Sequence, residues 1–296
     1  MTPPGSVTRF LFEGLDIRGA LVHLGPCWES LQKGRGYGPV ETQLLGEMAA
    51  VTVLIAAQLK QPGRLTFQLR GNGPISLLVM DCDEQLRLRG MARAVPNLAP
   101  APVPQLLGAD QGGQLMLNLD FPVARQPYQS FVPLEGDSIA EIFEHYLEQS
   151  EQQAARLFVA ADSKAAACLF LQKLPGADAL DPDGWDRIRH LAATVKTAEL
   201  LELDAPTLLG RLFHEEILTG ECTGRGIRLY EPRSVTHHCP EDWEKVEGML
   251  LALGRTEAEA ILAEHGEIVV KDDICNREYR FTPADVARLF AKRPVH

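Results

Sequence analysis

Six cysteines carry the most obvious chemistry in this chain: Cys27, Cys82, Cys168, Cys222, Cys239 and Cys275. In a reducing cytosol such residues serve as thiols, metal ligands or redox sensors, and seldom as structural disulfides. Cys82 follows the apolar run ISLLVMD and Cys168 sits in AAACLFLQ, so both are expected in the core as small hydrophobes. Cys27 takes no assigned role. Cys239 stands beside His237, His238 and Glu241, and Cys275 follows Asp272 and Asp273. A dithiol redox catalyst normally needs a C-x-x-C pair, and none is present, which argues against a thiol oxidoreductase.

Other reactive signatures are missing or incomplete. His214-Glu215-Glu216 lacks the second histidine of H-E-x-x-H, so it is no zinc-protease motif. The sequence holds no Walker loop, which disfavours an ATP-driven machine, and no G-x-S-x-G nucleophile elbow. Gly34-Arg35-Gly36-Tyr37-Gly38 is glycine-rich but follows no predicted strand, and it reads as a loop, not a phosphate cradle. The chain is therefore expected not to be an enzyme.

The bulk properties narrow the class further. With 296 residues, 45% of them hydrophobic and 23% charged, the chain can bury a large core and add a small second domain. A net charge of -11 repels phosphate backbones, so nucleic-acid binding is not expected. No run approaches the ~20 apolar residues of a membrane span. The start, MTPPGSVTRFLFEG, lacks the layout of a secretory signal, and a cytoplasmic location is the default expectation.

The elements that must position any site follow from periodicity. Residues 39–60 predict a helix too apolar to lie on a surface, ended by Pro62-Gly63. Leu65, Phe67 and Leu69 alternate with polar residues, and the turn 71–74 leads into a second strand. Segments 85–94, 114–120 and YQSFVPL predict further strands, which makes an antiparallel sheet. Ser138 with Glu141 has the form of a capping box before a helix. ARLFVAA and ACLFLQKL predict two more strands, and the Pro- and Gly-rich segment 175–184 predicts a domain boundary. From Trp185 to Glu216 the pattern is that of amphipathic helices needing a surface to lean on. A C-terminal unit follows, with the helix DWEKVEGMLLAL, a second predicted capping box at Thr256 and Glu259, a stop at Gly266 and a hairpin. The fold class is α/β (α+β). Residues 1–180 form an N-terminal sheet-and-helix domain, 181–226 a helical linker and 227–296 a small helix-plus-hairpin domain.

Several stretches, taken in order, resemble the redox-regulated heat-shock holdases of bacteria, the thirty-three-kilodalton chaperonin family. They are RFLFEGLDIRGALVHL, LTFQLRGNGPISLLV, LRLRGMARA, FLQKLPG, RLFHEE, RLYEPRSV and GEIVVKDDICNREYRF. The resemblance implies a substrate-binding domain, a metastable linker and a C-terminal zinc domain. It implies an ATP-independent holdase that captures unfolding clients under oxidative or heat stress, at rest a monomer and when active a homodimer. In that family four cysteines, as C-x-C and C-x-x-C, hold zinc. Oxidation forms two disulfides, expels the metal and loosens the linker. Zinc-bound thiolates react with oxidants, and zinc binding is folding free energy for a unit with little core. Arg18-Gly19 and Arg89-Gly90 match family positions, and their glycines suit turns or bulges.

This chain departs from the pattern at the switch. Cys239-Pro240-Glu241 stands where the family has C-x-C, and Asp272-Asp273-Ile274-Cys275 where it has C-x-x-C. An insertion, ILTGECTGRGI, carries Cys222. Three readings stay open. Zinc persists on Cys239, Cys275 and one or two of Glu241, Asp272, His237, His238 and Cys222. Cys239 and Cys275 pair directly as one disulfide redox switch. Or the site is vestigial. The carboxylates also have plain readings: Glu241 and Asp242 suit a helix start, and Asp272 and Asp273 suit a hairpin turn.

Overall fold

The computed structural model of the protein describes residues 5–122, 126–217 and 226–291. The chain divides into two compact units, one ending at His238 and the other starting at Cys239.

The first unit is built on two sheets with a helix between them. β1 (Ser6–Phe12), β2 (Ile17–His23), β8 (Ala155–Ala161) and β9 (Ala166–Lys173) pair antiparallel in the order β1-β2-β9-β8. β3 (Arg64–Arg70), β4 (Ile75–Cys82), β5 (Arg87–Ala94), β6 (Gln114–Asp120) and β7 (Tyr128–Pro133) form the second, in the order β5-β4-β3-β6-β7. The helix Pro39–Ala56 packs against strands of both, and every residue from Leu44 to Ala56 is buried. It is the predicted all-round apolar helix. It is long and apolar enough by composition to cross a membrane, yet here it is core. Leu65, Phe67 and Leu69 point into the same core, as their alternation requires. Ser138 accepts from the Glu141 backbone N–H at 3.3 Å, while the Glu141 carboxylate takes the N–H of Asp137 and not that of Ser138.

The expected break at 175–184 is a turn within this unit. The Gly176 N–H donates to the Asp16 carboxylate at 2.9 Å, and the helix Gly184–Ala192 packs back on the first sheet. Residues 227–238, expected in the C-terminal domain, also belong to the first unit. β10 (Ile227–Leu229) and β11 (Arg233–Ser234) both pair with β1, and β12 (Thr236–His237) pairs parallel with β5. Unpaired edge amides seek partners, and these short strands supply them. Gly19 and Gly90 serve neither turns nor bulges. Both lie within strands. A Cβ at Gly19 would meet the Phe10 ring at 2.2 Å, and one at Gly90 the Val79 carbonyl at 2.4 Å.

The second unit holds helices Trp243–Leu253, Arg255–His265 and Pro283–Ala291 with the hairpin β13 (Ile268–Asp272) and β14 (Arg277–Phe281). Its core is small: Val246, Leu250, Ala258, Ile268, Tyr279, Phe281, Val286 and Leu289. Asp242 caps the first helix by accepting from Lys245 N–H at 3.0 Å, and Gly266 ends the second at φ 79°. The capping box predicted at Thr256 does not form. Gly254 stands at the N-cap, the helix starts two residues earlier than predicted, and Glu259 pairs with Arg255 at 2.7 Å.

Candidate functional site

In the second unit Cys239 and Cys275 meet. Cys239 and Cys275 form a disulfide with Cα atoms 5.5 Å apart, closing a separation of 36 residues. Local contacts hold both ends. The Cys275 N–H donates to the Asp272 carboxylate at 3.1 Å, which makes Asp272 a hairpin-turn residue. Arg277, the cross-strand partner of Asp272, donates from Nη2 to the Cys239 carbonyl at 3.1 Å. Tyr279 accepts the Asp242 N–H at 3.0 Å through its hydroxyl, and Trp243 packs edge-on against it with ring centroids 4.9 Å apart. The Glu241 carboxylate accepts from the Trp243 indole N–H at 2.9 Å and lies 3.8 Å from Arg277.

The other predicted ligands are placed by the first unit. His237 shares a hydrogen bond with the Ser30 hydroxyl at 3.0 Å, and the His238 N–H donates to the Leu88 carbonyl at 3.1 Å. Burial, and after it the Arg35 and His238 charges, hold the His237 imidazole below its ordinary range. Cys222 lies outside the described residues. Among the described residues no three histidine, cysteine, aspartate or glutamate side chains come together as a metal centre. The donor set does not fit a tetrahedral zinc. Both sulfurs are spent on each other, the Asp272 carboxylate takes a backbone amide, and Glu241 is bound to Trp243.

The remaining described cysteines are chemically quiet. Cys27, Cys82 and Cys168 are buried free thiols. Burial pushes Cys27 up to about 12. Burial, with Asp83 and Asp81 adding to it, raises Cys82 as well, and burial with Glu144 raises Cys168. Thiols held protonated are poor nucleophiles. The core placement expected for Cys82 and Cys168 is what the structure has.

A second feature lies in the first unit, on the face of the first sheet turned away from the helix Pro39–Ala56. Phe10, Phe12, Ile17, Leu21, Leu169 and Leu171 form an apolar surface there. It is covered by three short helices, Gly184–Ala192, Thr197–Glu202 and Ala205–Leu212, through Trp185, Ile188, Leu200, Leu208 and Leu209. These are the amphipathic helices the sequence predicts, and the sheet is what they lean on. Phe213, just past the last of them, meets Phe12 edge-on at 5.0 Å. The cover is incomplete, since a cleft of about 820 Å³ opens between β1, β2 and the start of the last helix. His23, which sequence reasoning passed over, crosses from β2 to the cover through a hydrogen bond between Nε2 and the Leu201 carbonyl. A lone histidine at a strand end carries no signal for such a contact.

Comparison with known proteins accounts for this architecture. The family model described as Hsp33 protein matches residues 5–282. A 33 kDa chaperonin of Methylobacillus flagellatus is 39% identical over 289 residues, covering 97% of this chain and 94% of that protein. The 33 kDa chaperonin of Chromobacterium violaceum is 38% identical over 283 residues, covering 95% and 92%. The crystal structure of the heat shock protein 33 homolog from Thermotoga maritima shares the fold, with a TM-score of 0.75 at 22% identity, covering 97% of this chain and 98% of its own. The two-sheet unit, the covering helices and the helix-plus-hairpin unit are thus those of a known lineage, and the chain belongs to the Hsp33 family.

Proposed function

We propose that this protein is an ATP-independent holdase chaperone whose client surface is the sheet face under helices 184–212. The observation that carries this reading is the cover itself. Helices of nine, six and eight residues are marginal on their own in water and are held by one apolar seam. Heat weakens such a seam before it melts the two-sheet core, and the face uncovered is continuous and apolar, of the kind that takes up unfolded chain. The family membership and the names of the relatives support the chaperone part of this reading.

The cysteine pair acts in this reading as a staple. A disulfide within a unit whose core is eight residues stabilises that unit, so oxidation closes it and reduction loosens it. Release of client-binding surface then follows heat, not peroxide. The test is suppression of a thermally aggregating client by the reduced and the peroxide-treated protein, followed by light scattering. The reading expects the reduced protein to protect without prior oxidation. Protection by the oxidised form alone would give the pair back the role of an oxidative trigger. Protection by neither would remove the holdase reading.

A further inference from the structure

The opposite face of the first sheet carries a site of different chemistry. Register places Arg9, Ala20 and Phe170 side by side across β1, β2 and β9, and Leu11 beside Arg18 one step along the same face. Where the helix Pro39–Ala56 ends, it uncovers this part of the sheet and leaves a pocket of about 490 Å³. Its floor is apolar, with Phe170 and Leu174, and its rim holds three cations: Arg9, Arg18 and Lys60. Among the described residues no carboxylate lines it.

The cations are available to a ligand to different degrees. Arg18 is held by Gln172 at 2.6 Å and by Glu151 at 3.3 Å, so it is oriented but partly neutralised. Arg9 is exposed and lies over the Tyr230 ring, 5.7 Å from its centroid, a contact that leaves its charge in place. Lys60 is exposed, and among the described residues no carboxylate pairs with Arg9 or Lys60. The helix C-terminus at the pocket opposes an anion, but Arg233 donates to the Ala57 carbonyl at 3.3 Å and offsets part of that field. On a chain of net charge -11, a basic rim over an apolar floor is a local reversal of sign.

We propose that this pocket binds an anionic amphiphile, a carboxylate or phosphate head set between Arg9 and Lys60 with its apolar chain on Phe170 and Leu174. The head is matched by charge-assisted hydrogen bonds and the chain by apolar burial in a cleft of ordinary ligand size. The ligand arrives either as a free single-chain amphiphile or as a headgroup at an anionic membrane surface. The site lies on the sheet face away from the covering helices, so the proposal does not rest on the holdase reading.

The probes are laurate below its micelle concentration, measured by equilibrium dialysis, and phosphatidylglycerol vesicles, measured by co-sedimentation with the full chain. Laurate is expected to bind saturably at one site, and more tightly than dodecanol. Arg9→Glu with Lys60→Glu is expected to weaken it by roughly tenfold or more, as loss and reversal of two charge contacts imply. Both positions are exposed, and Arg9→Gln with Lys60→Gln serves if the reversal disturbs folding. Vesicle binding that the variant loses, with no laurate binding, supports the same site fed from a membrane. The proposal is overturned if dodecanol binds as tightly as laurate, if the variants bind unchanged, or if neither probe binds.

Discussion

Arg277 donates from Nη2 to the backbone carbonyl of Cys239 at 3.1 Å, so the strand that follows Cys275 also grips the segment that carries its partner. The contact needs no sulfur chemistry. It ties the Cys239 segment to the hairpin alongside the disulfide. Closing a loop of this length is worth about 4 kcal/mol in the chain-entropy account. A unit with a core this small has little else to set against its conformational entropy. Reduction, or Cys275→Ser, is expected to lower the melting temperature of the C-terminal unit well below that of the first unit. Calorimetry of the oxidised and reduced full chain checks this. A C-terminal transition that does not move on reduction would count against the staple.

The same geometry predicts how the protein meets metal and thiol reagents. With Glu241 and Asp272 engaged elsewhere, two thiolates alone make a weak zinc site. The reduced protein, purified and dialysed without chelator, is expected to hold well under one zinc per chain by elemental analysis. Alkylation of the folded, reduced protein should modify Cys239 and Cys275 fast and Cys27, Cys82 and Cys168 slowly, because the latter are buried and held protonated. Peptide mapping by mass spectrometry reads the order. Stoichiometric zinc, lost on alkylation, would restore the metal reading.

The cover over the first sheet should respond to His23. Its ring meets the Leu201 carbonyl near the end of a six-residue helix, where backbone acceptors lack helical partners. His23→Ala removes that donor and leaves a buried carbonyl unsatisfied, at a cost of about 1–3 kcal/mol. Most of that cost falls on the attachment of the helices, since β2 keeps its strand partners. The variant is expected to bind an apolar dye and protect a client at a lower temperature than the parent, with the two-sheet core unmoved. Unchanged onset temperatures would show that the helices are held by the apolar seam alone.

What the sequence made legible was set by periodicity and by local chemistry. The alternation of Leu65, Phe67 and Leu69, the apolar helix before them and the stop at Gly266 are local patterns, and each appears as expected. Strands of two or three residues carry no period, so the pairing of Thr236 with Arg87 and of Ser6 with Ser234 could not be read. That is why the unit boundary lies at His238 and not at residue 226. A run of prolines and glycines marks a turn, but only the bond from Gly176 to Asp16 tells whether the chain leaves the domain there. At the switch, residue types left zinc, disulfide and vestige open together. The contact between Cys239 and Cys275, and the hydrogen bonds that engage Glu241 and Asp272, are three-dimensional relationships that no pattern of residue types displays.

A buried carboxyl in the central helix should make the first unit's stability fall as pH rises. Glu47 is 7% exposed, lines a cleft with Leu44, Val103, Leu157 and Asp137, and accepts from Gln43 at 2.9 Å. Burial pushes its carboxyl up to about 7, with the Gln43 hydrogen bond opposing. Between the ordinary carboxylate value and 7, the folded state therefore keeps a proton that the unfolded chain releases. This contribution is full at acid pH, declines through that window, and above it leaves a constant penalty on the order of 3 kcal/mol. Glu47→Gln keeps the acceptor for Gln43 and removes the charge. It is expected to raise the urea midpoint at about pH 8, to change it little at about pH 5, and so to flatten the dependence. A parent and variant that lose stability in parallel between these values would place the titrating group elsewhere than Glu47.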